Sequence, residues 1–122
     1  MVGLANKCIG VRNGNSESGT PLILWECNGN ADQRWSLTSQ GSLQGLAGKC
    51  IGVQNGNSEG GTPLILWECN GNADQRWSLT SQGSLQGLAG KCIGVQNGNS
   101  EGGTPLILWE CNGNADQRWS IQ

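Results

Sequence analysis

The sequence predicts an all-β fold in which three equivalent units close into a three-fold symmetric barrel of about twelve short strands. Two observations carry this prediction. Cysteines and tryptophans recur at a fixed step of 42 residues, and each unit contains four short β-type segments separated by turn-forming residues. A unit of this size cannot bury its apolar face alone, so we expect neighbouring units to share one core.

The repeats cover residues 1–42, 43–84 and 85–122, and we expect them to form a single domain, 1–122. The third repeat stops four residues short, inside a polar turn equivalent to 39–42. The first and last strands are therefore expected to pair and close the barrel. A propeller would need at least four blades. The second and third repeats are identical from 43 to 78 and 85 to 120, whereas the first differs from the second at Met1, Val2, Asn6, Arg12 and Ser18.

The strand predictions follow from short apolar or alternating segments in each repeat. In the second repeat they fall at 43–46, 50–54, 63–69 and 75–79, with the turn-rich segments AGK, NGNSEGGT, NGNAD and TSQGS around them. No segment has a sustained helical period.

Composition removes several classes of function. Only 13% of the residues are charged and the net charge is −2, which does not favour nucleic acid or an anionic membrane as a partner. No apolar run approaches the roughly 20 residues that span a bilayer. Histidine is absent, which excludes Ser-His-Asp and Cys-His catalysis and the common zinc sites. We expect no metal and no cofactor. Tyrosine and phenylalanine are also absent, so six tryptophans form the whole aromatic complement.

Three motifs recur in order in every repeat: K-C-I-G-V, then G-T-P-L-I-L-W-E-C, then Q-R-W at 33–35, 75–77 and 117–119. With these motifs each repeat resembles a ricin B-type β-trefoil repeat, also known as carbohydrate-binding module family 13, and the resemblance covers the whole chain. It implies a β-trefoil with up to three shallow sites for galactose-like or xylose-like sugars, in a monomeric extracellular protein. The segment MVGLANKC has no secretory signal pattern, so any signal has been removed or the protein acts where it is made.

The two cysteines of each repeat have the spacing of the intra-repeat disulfide in many members of this family. The resemblance and the repeat together make Cys8–Cys27, Cys50–Cys69 and Cys92–Cys111 the simplest of 15 connectivities. Three pairs of buried free thiols remain the alternative if the protein is made in a reducing compartment.

Strand parity separates a core face from an outer face. Because side chains alternate along a strand, Ile9 and Val11 share one face, and Leu22 and Leu24 share another that suits the same core. If Cys8 pairs with Cys27, then Gly10, Ile23 and Trp25 lie together on the opposite, outer surface. Indole rings stack on sugar rings, so we predict ligand contact for Trp25, Trp67 and Trp109. The alternative is that these rings pack on the isoleucine and the disulfide as a small outer core.

The second tryptophan of each repeat has a different expected role. In the family, the Q-x-W motif is mainly structural, so Trp35, Trp77 and Trp119 are expected in the barrel core, with the preceding glutamine bonded to local backbone. The Asp-Gln pairs match the family's Asn-Gln pair, which bonds sugar hydroxyls or holds the site. The alternative is that the aspartate is an Asx-type turn residue that leads into the next strand. The residues of the pairs are Asp32, Gln33, Asp74, Gln75, Asp116 and Gln117.

Two departures from the family fall on the predicted ligand face. Gly10, Gly52 and Gly94 stand where the family commonly has an aspartate that holds sugar hydroxyls. Ile23, Ile65 and Ile107 stand where it commonly has glutamine. Both changes remove hydrogen bonds that orient a sugar, so weak or altered binding is expected. Restoring aspartate at the three glycines should then increase binding if the remaining site is intact.

Three functional hypotheses follow. The favoured one is a carbohydrate-binding module whose three weak sites act together through avidity. The alternative is a symmetric scaffold without retained binding, because repeats this similar indicate either an engineered sequence or a very recent duplication. An enzyme is not expected: Glu26 and Asp32 could in principle form a glycosidase pair, but a solvated acidic rim explains them better.

Overall fold

The structure is a computed structural model that describes residues 1–120. Within these residues the chain forms ten short strands and nine three-residue 3₁₀ turns. The strands are β1 Cys8–Val11, β2 Leu22–Trp25, β3 Ser36–Leu37, β4 Leu43–Gln44, β5 Cys50–Val53, β6 Leu64–Trp67, β7 Ser78–Leu79, β8 Leu85–Gln86, β9 Cys92–Val95 and β10 Leu106–Trp109. No helix in residues 1–120 has the length and apolar character needed to cross a membrane.

The 3₁₀ turns occupy equivalent places in the three repeats. One follows the opening strand of a repeat, one follows the C-I-G-V strand, and one precedes the Q-R-W tryptophan. Their bounds are Leu4–Asn6, Arg12–Gly14, Ala31–Gln33, Leu46–Gly48, Gln54–Gly56, Ala73–Gln75, Leu88–Gly90, Gln96–Gly98 and Ala115–Gln117.

Antiparallel hairpins make up each repeat. One four-stranded sheet has the order β3-β4-β5-β6 and another has the order β10-β9-β8-β7, while β1 and β2 form a two-stranded sheet. Each four-stranded sheet therefore combines three strands of one repeat with the last strand of the preceding repeat. The register places Gly10 opposite Ile23 and Cys8 opposite Trp25. The same register recurs in the other repeats.

The opening and closing segments of the described chain pair with each other, as the sequence predicts. Val2 N donates to Ser120 O at 2.9 Å, and Ser120 N donates to Val2 O at 2.8 Å. This pairing is an isolated bridge, so the first repeat shows its opening strand as one bridging residue. The count of ten strands, instead of about twelve, results from this short pairing and from the limit of the described residues at 120.

The long fourth strand expected at 75–79 is shorter than predicted. Ala73–Gln75 forms a 3₁₀ turn, and the strand covers only Ser78–Leu79. The side chain of Gln75 explains the difference, because it hydrogen-bonds to the backbone of 68 and 70 and holds this segment against the preceding loop.

The core contains the residues that strand parity placed there. Ile9, Leu22 and Leu24 are fully buried and Val11 is nearly so, as are their equivalents in the other repeats. Trp35, Trp77 and Trp119 join the same cluster, and their indole N–H groups donate to backbone carbonyls of Ile9, Ile51 and Ile93. These bonds satisfy the one polar atom that each buried indole carries.

The second strands of the repeats link the three units in a cycle. Leu24 N donates to Thr104 O at 2.9 Å, and Gly103 N donates to Leu24 O at 2.7 Å. The equivalent bonds join Leu66 to the first repeat and Leu108 to the second. Each repeat therefore depends on a loop from one neighbour, which also shapes the candidate sites.

Candidate functional site

Three clefts lie at corresponding places on the outer face of the hairpins. We name them cleft A, around Trp25, cleft B, around Trp67, and cleft C, around Trp109. Their volumes are ≈ 480 Å³ for A, ≈ 370 Å³ for B and ≈ 360 Å³ for C. Volumes of this size are typical of small-molecule sites.

The tryptophan of each cleft is strongly exposed for an aromatic residue. Trp25 is 45% exposed, Trp67 43% and Trp109 45%, although all three lie in regular strands. Ile23, beside Trp25 in cleft A, is only 6% exposed and forms an apolar floor. The indole is therefore supported from below and open above, an arrangement that allows a flat apolar ring face to stack on it.

One wall of each cleft comes from a neighbouring repeat. Gly103 lines cleft A, and a Cβ atom placed at Gly102 would lie 3.4 Å from Cε3 of Trp25. Gly19 contributes in the same way to cleft B, and Gly61 to cleft C. Each cleft is therefore lined by residues of two repeats.

Asp32 lines cleft A and is anchored to the strand beside it. Its Oδ2 accepts the backbone N–H of Val11 at 3.1 Å, across 21 residues of sequence. Asp74 and Asp116 accept the equivalent bonds at 3.2 Å and 3.1 Å. The aspartate caps a strand end from a distant turn, which fixes its carboxylate in the cleft.

Gly10 lies directly beneath this carboxylate. A Cβ atom at position 10 would stand 3.1 Å from Asp32 Oδ2 and 3.5 Å from Cγ of Gln33. Gly52 and Gly94 have the same environment. The absence of a side chain at this position of the strand therefore leaves space that the aspartate of the turn Ala31–Gln33 occupies.

Gln33 holds the loop instead of lining the cleft. Its Oε1 accepts from Asn28 N at 2.8 Å and its Nε2 donates to Glu26 O at 2.8 Å, and the residue is 6% exposed. Gln75 and Gln117 make the same pair of bonds and are buried still more deeply. Of the predicted residues, the structure brings tryptophan and aspartate together in each cleft, with glycine and glutamine beside the aspartate.

Disulfides close the other side of each site. The structure joins Cys8 to Cys27, Cys50 to Cys69 and Cys92 to Cys111, each with Cα atoms 5.1 Å apart. Cys8 pairs with Trp25 in the register of β1 and β2, so the bridge ties the loop after Trp25 to the strand beneath it. The free-thiol alternative does not describe this structure.

Sequence reasoning missed the asparagines that complete the clefts. Asn13 lines cleft A in a left-handed conformation at φ 57°, and Asn28 and Asn30 line it from the next loop. Asparagine adopts this conformation more readily than most residues. The repeated N-G-N segments were the available signal, but they also read as ordinary turns.

Comparison with known proteins identifies relatives for both sequence and fold. The family model described as "Ricin-type beta-trefoil lectin domain" matches residues 1–119. Nigrin b from Sambucus nigra is 41% identical over 44 residues, which is 36% of this chain, and the chain spans only 8% of that relative's length.

Two solved structures extend the likeness over nearly the whole chain. The designed three-fold symmetric protein ThreeFoil superimposes with a TM-score of 0.87 at 25% identity, over 95% of this chain and 91% of its own. A non-toxic homologue of type II RIPs from Momordica charantia (bitter gourd), in complex with α-methyl-D-galactoside, has a TM-score of 0.85 at 20% identity, over 98% of this chain and 45% of its own. These likenesses confirm the β-trefoil fold.

Proposed function

Because the chain belongs to the ricin-type β-trefoil lectin domain family, we propose that it binds carbohydrate at clefts A, B and C. The observation that carries the proposal is the pairing of an open tryptophan face with a fixed carboxylate in a cleft of sugar size. The indole stacks on the apolar face of a pyranose, and the carboxylate accepts hydrogen bonds from its hydroxyls. The protein is a single domain with three sites.

Galactose-like sugars are the first candidates, with xylose-like sugars second. The Momordica charantia homologue is in complex with α-methyl-D-galactoside, which supports a galactoside in this fold. Each cleft is shallow and open, and its floor is isoleucine where the family commonly has glutamine. Single-site affinity is therefore weak, and three sites on one monomer gain strength from clustered glycans by avidity.

Asp32 provides the carboxylate that the family commonly places at position 10. Its Oδ2 is bonded to Val11 N, and its second oxygen is left to accept hydrogen bonds in cleft A. In this proposal Gln33 is a positioning residue that acts through the loop 26–30, and Gly10 provides the space for the aspartate.

Binding without catalysis fits the residues of the cleft. A glycosidase requires two carboxyl groups on either side of a bond, whereas Asp32 is the one acidic residue among those that line cleft A in the described chain. Glu26 does not line it. An extracellular location also fits, since three disulfides persist in oxidising compartments.

A symmetric scaffold without binding is the second candidate. It is favoured by the near-identity of the repeats and by the likeness to ThreeFoil, a designed protein. In that case Trp25, Trp67 and Trp109 would be exposed without contacting any ligand.

Titration with galactose, lactose and xylose, followed by tryptophan fluorescence, tests the proposal. The exposed indoles should be quenched or shifted as sugar stacks on them. A chain with Trp25→Ala, Trp67→Ala and Trp109→Ala should lose the response while its three core tryptophans still report a folded protein. No fluorescence change at high millimolar sugar, in a folded chain, would exclude carbohydrate binding and leave the scaffold.

A further inference from the structure

The three clefts are not equivalent, although the repeats are nearly identical. Of the five positions that distinguish the first repeat from the second, Arg12 lies in cleft A, and Ser18 directly precedes Gly19, which lines cleft B. Cleft C differs from cleft A at the first position, where Gln96 replaces Arg12, and from cleft B at the second, where Gly60 replaces Ser18. Gly60 directly precedes Gly61, which lines cleft C. Clefts A and B therefore each differ from cleft C at one position, and cleft C serves as the reference copy.

Arg12 is the only one of these differences that changes the charge of a cleft. It follows Val11, whose side chain enters the core, and it is exposed at the end of β1 among the residues that line cleft A. The equivalent residues in clefts B and C are Gln54 and Gln96, also exposed. The substitution places a guanidinium where the other sites have a neutral amide.

The charge balance of the sites differs as a result. In cleft A the guanidinium of Arg12 accompanies the carboxylate of Asp32, so their formal charges cancel. In cleft C the carboxylate of Asp116 lies with the neutral Gln96 and gives that site one negative charge. An anionic sugar would be repelled at cleft C, whereas at cleft A it would meet a group that binds carboxylates in bidentate geometry.

We propose that cleft A selects acidic sugars, of the hexuronic acid class, while clefts B and C prefer neutral sugars. The inference rests on the proposed carbohydrate binding and adds the substrate class of one site. The pyranose stacks on Trp25 as in the other clefts, and the sugar carboxylate pairs with Arg12. One chain then has two specificities and binds best to glycans that present both neutral and acidic residues.

Chains with a single intact cleft test the inference. Trp67→Ala with Trp109→Ala leaves cleft A, and Trp25→Ala with Trp67→Ala leaves cleft C. Each is titrated with methyl galactoside and methyl galacturonide. These sugars differ only at C6, which is a hydroxymethyl group in the first and a carboxylate in the second. The measured quantity is the ratio of the two affinities. We expect the affinity for the uronide, relative to that for the galactoside, to be about fivefold higher in cleft A than in cleft C. An effect of this size is typical of an exposed charge pair.

Reciprocal substitutions provide matched controls. Arg12→Gln in the cleft A chain should bring its ratio to that of cleft C, and Gln96→Arg in the cleft C chain should raise its ratio to that of cleft A. The preference should also weaken as salt is raised from 10 mM to 500 mM, because salt screens exposed charges.

The outcomes separate this inference from the function on which it rests. If both chains bind methyl galactoside but share one affinity ratio, selection by Arg12 is wrong and carbohydrate binding stands. If neither folded chain binds either sugar, both are wrong. A uronide preference that survives Arg12→Gln would also overturn the role of the arginine.

Discussion

The carboxylate of Asp32 occupies the space above Gly10: a Cβ atom at position 10 would lie 3.1 Å from Asp32 Oδ2. The same oxygen accepts the N–H of Val11, so the aspartate is held in place by the strand that contains the glycine. The acidic group of the cleft therefore comes from the turn Ala31–Gln33, which is distant in sequence from β1. The arrangement requires a residue without a side chain at position 10, because a Cβ atom there would crowd the Asp32 carboxylate.

The first prediction concerns the two functions of this aspartate. Asp32→Asn retains an oxygen that can accept from Val11 N but makes the bond neutral, so the free energy of unfolding should fall by no more than about 1 kcal/mol. With the charge removed at 32, 74 and 116 together, sugar affinity should fall about tenfold, since hydrogen bonds to charged groups are the stronger ones. Thermal unfolding and sugar titration measure the two effects.

Asp32→Ala is the matched control for that prediction. It leaves the partly buried Val11 N–H without a protein acceptor, which should cost about 1–2 kcal/mol of stability. If the alanine and asparagine variants were equally stable, the bond to Val11 would have no structural role.

The second prediction revises the idea that aspartate at position 10 alone would restore a family-type site. Gly10→Asp should destabilise the protein by about 1 kcal/mol or more, because its side chain meets Asp32 and places two carboxylates together. It should also weaken binding. Gly10→Asp combined with Asp32→Asn should recover most of the stability in a double-mutant cycle. Additive losses in the cycle would show that the two positions do not interact.

Local pattern was sufficient to predict the faces of the strands. Alternation along Leu22–Trp25 placed Leu22 and Leu24 in the core and Ile23 with Trp25 on the opposite face, because successive side chains of a strand point to opposite sides. On that face Trp25 is exposed, whereas Ile23 is buried. The three-fold repeat then extended this assignment to the whole chain.

The rest of the site depends on contacts between distant segments. Asp32 reaches Val11 across 21 residues, and Gly103 reaches Trp25 from another repeat. Neither contact has a period or a local signal in the sequence. The position of the Asp32 carboxylate therefore depends on β1 and the turn Ala31–Gln33 lying side by side in the fold.

The third prediction concerns a glycine that the core requires. A Cβ atom at Gly87 would lie 2.6 Å from Cζ3 of Trp77 and 2.7 Å from the carbonyl oxygen of Arg76. Neither the buried ring nor the backbone can move freely, so Gly87→Ala should cost about 1–3 kcal/mol, as overpacking does. Near-UV circular dichroism should record a changed tryptophan environment together with the lower melting temperature.

Gly98→Ala in the same repeat is the control for this crowding. Gly98 has a φ of +62° and no heavy atom within 4 Å of a Cβ position. Its substitution should cost about 1 kcal/mol from the left-handed backbone alone and leave the tryptophan spectrum unchanged. If Gly87→Ala had no spectral effect, the close approach to Trp77 would be wrong.

The fourth prediction concerns the disulfide beneath each cleft. The bond from Cys50 to Cys69 closes a loop with a separation of 19 residues, and Cys50 is the register partner of Trp67. Cys50→Ser with Cys69→Ser should lower the free energy of unfolding by about 3 kcal/mol in the chain-entropy description. Cleft B should also bind sugar more weakly than clefts A and C of the same molecule, because the loop after Trp67 loses its tie to β5.

The third repeat offers an equal loop for comparison. Cys92 and Cys111 have the same separation of 19 residues, and the two repeats are identical across this segment. Replacing Cys92 and Cys111 with serine should therefore cost the same free energy in chemical denaturation and weaken cleft C instead of cleft B. Full reduction of the unaltered chain should affect all three clefts. A loss of stability without any loss of binding would show that the disulfides stabilise the fold but do not position the tryptophans, which the strands would then hold without them.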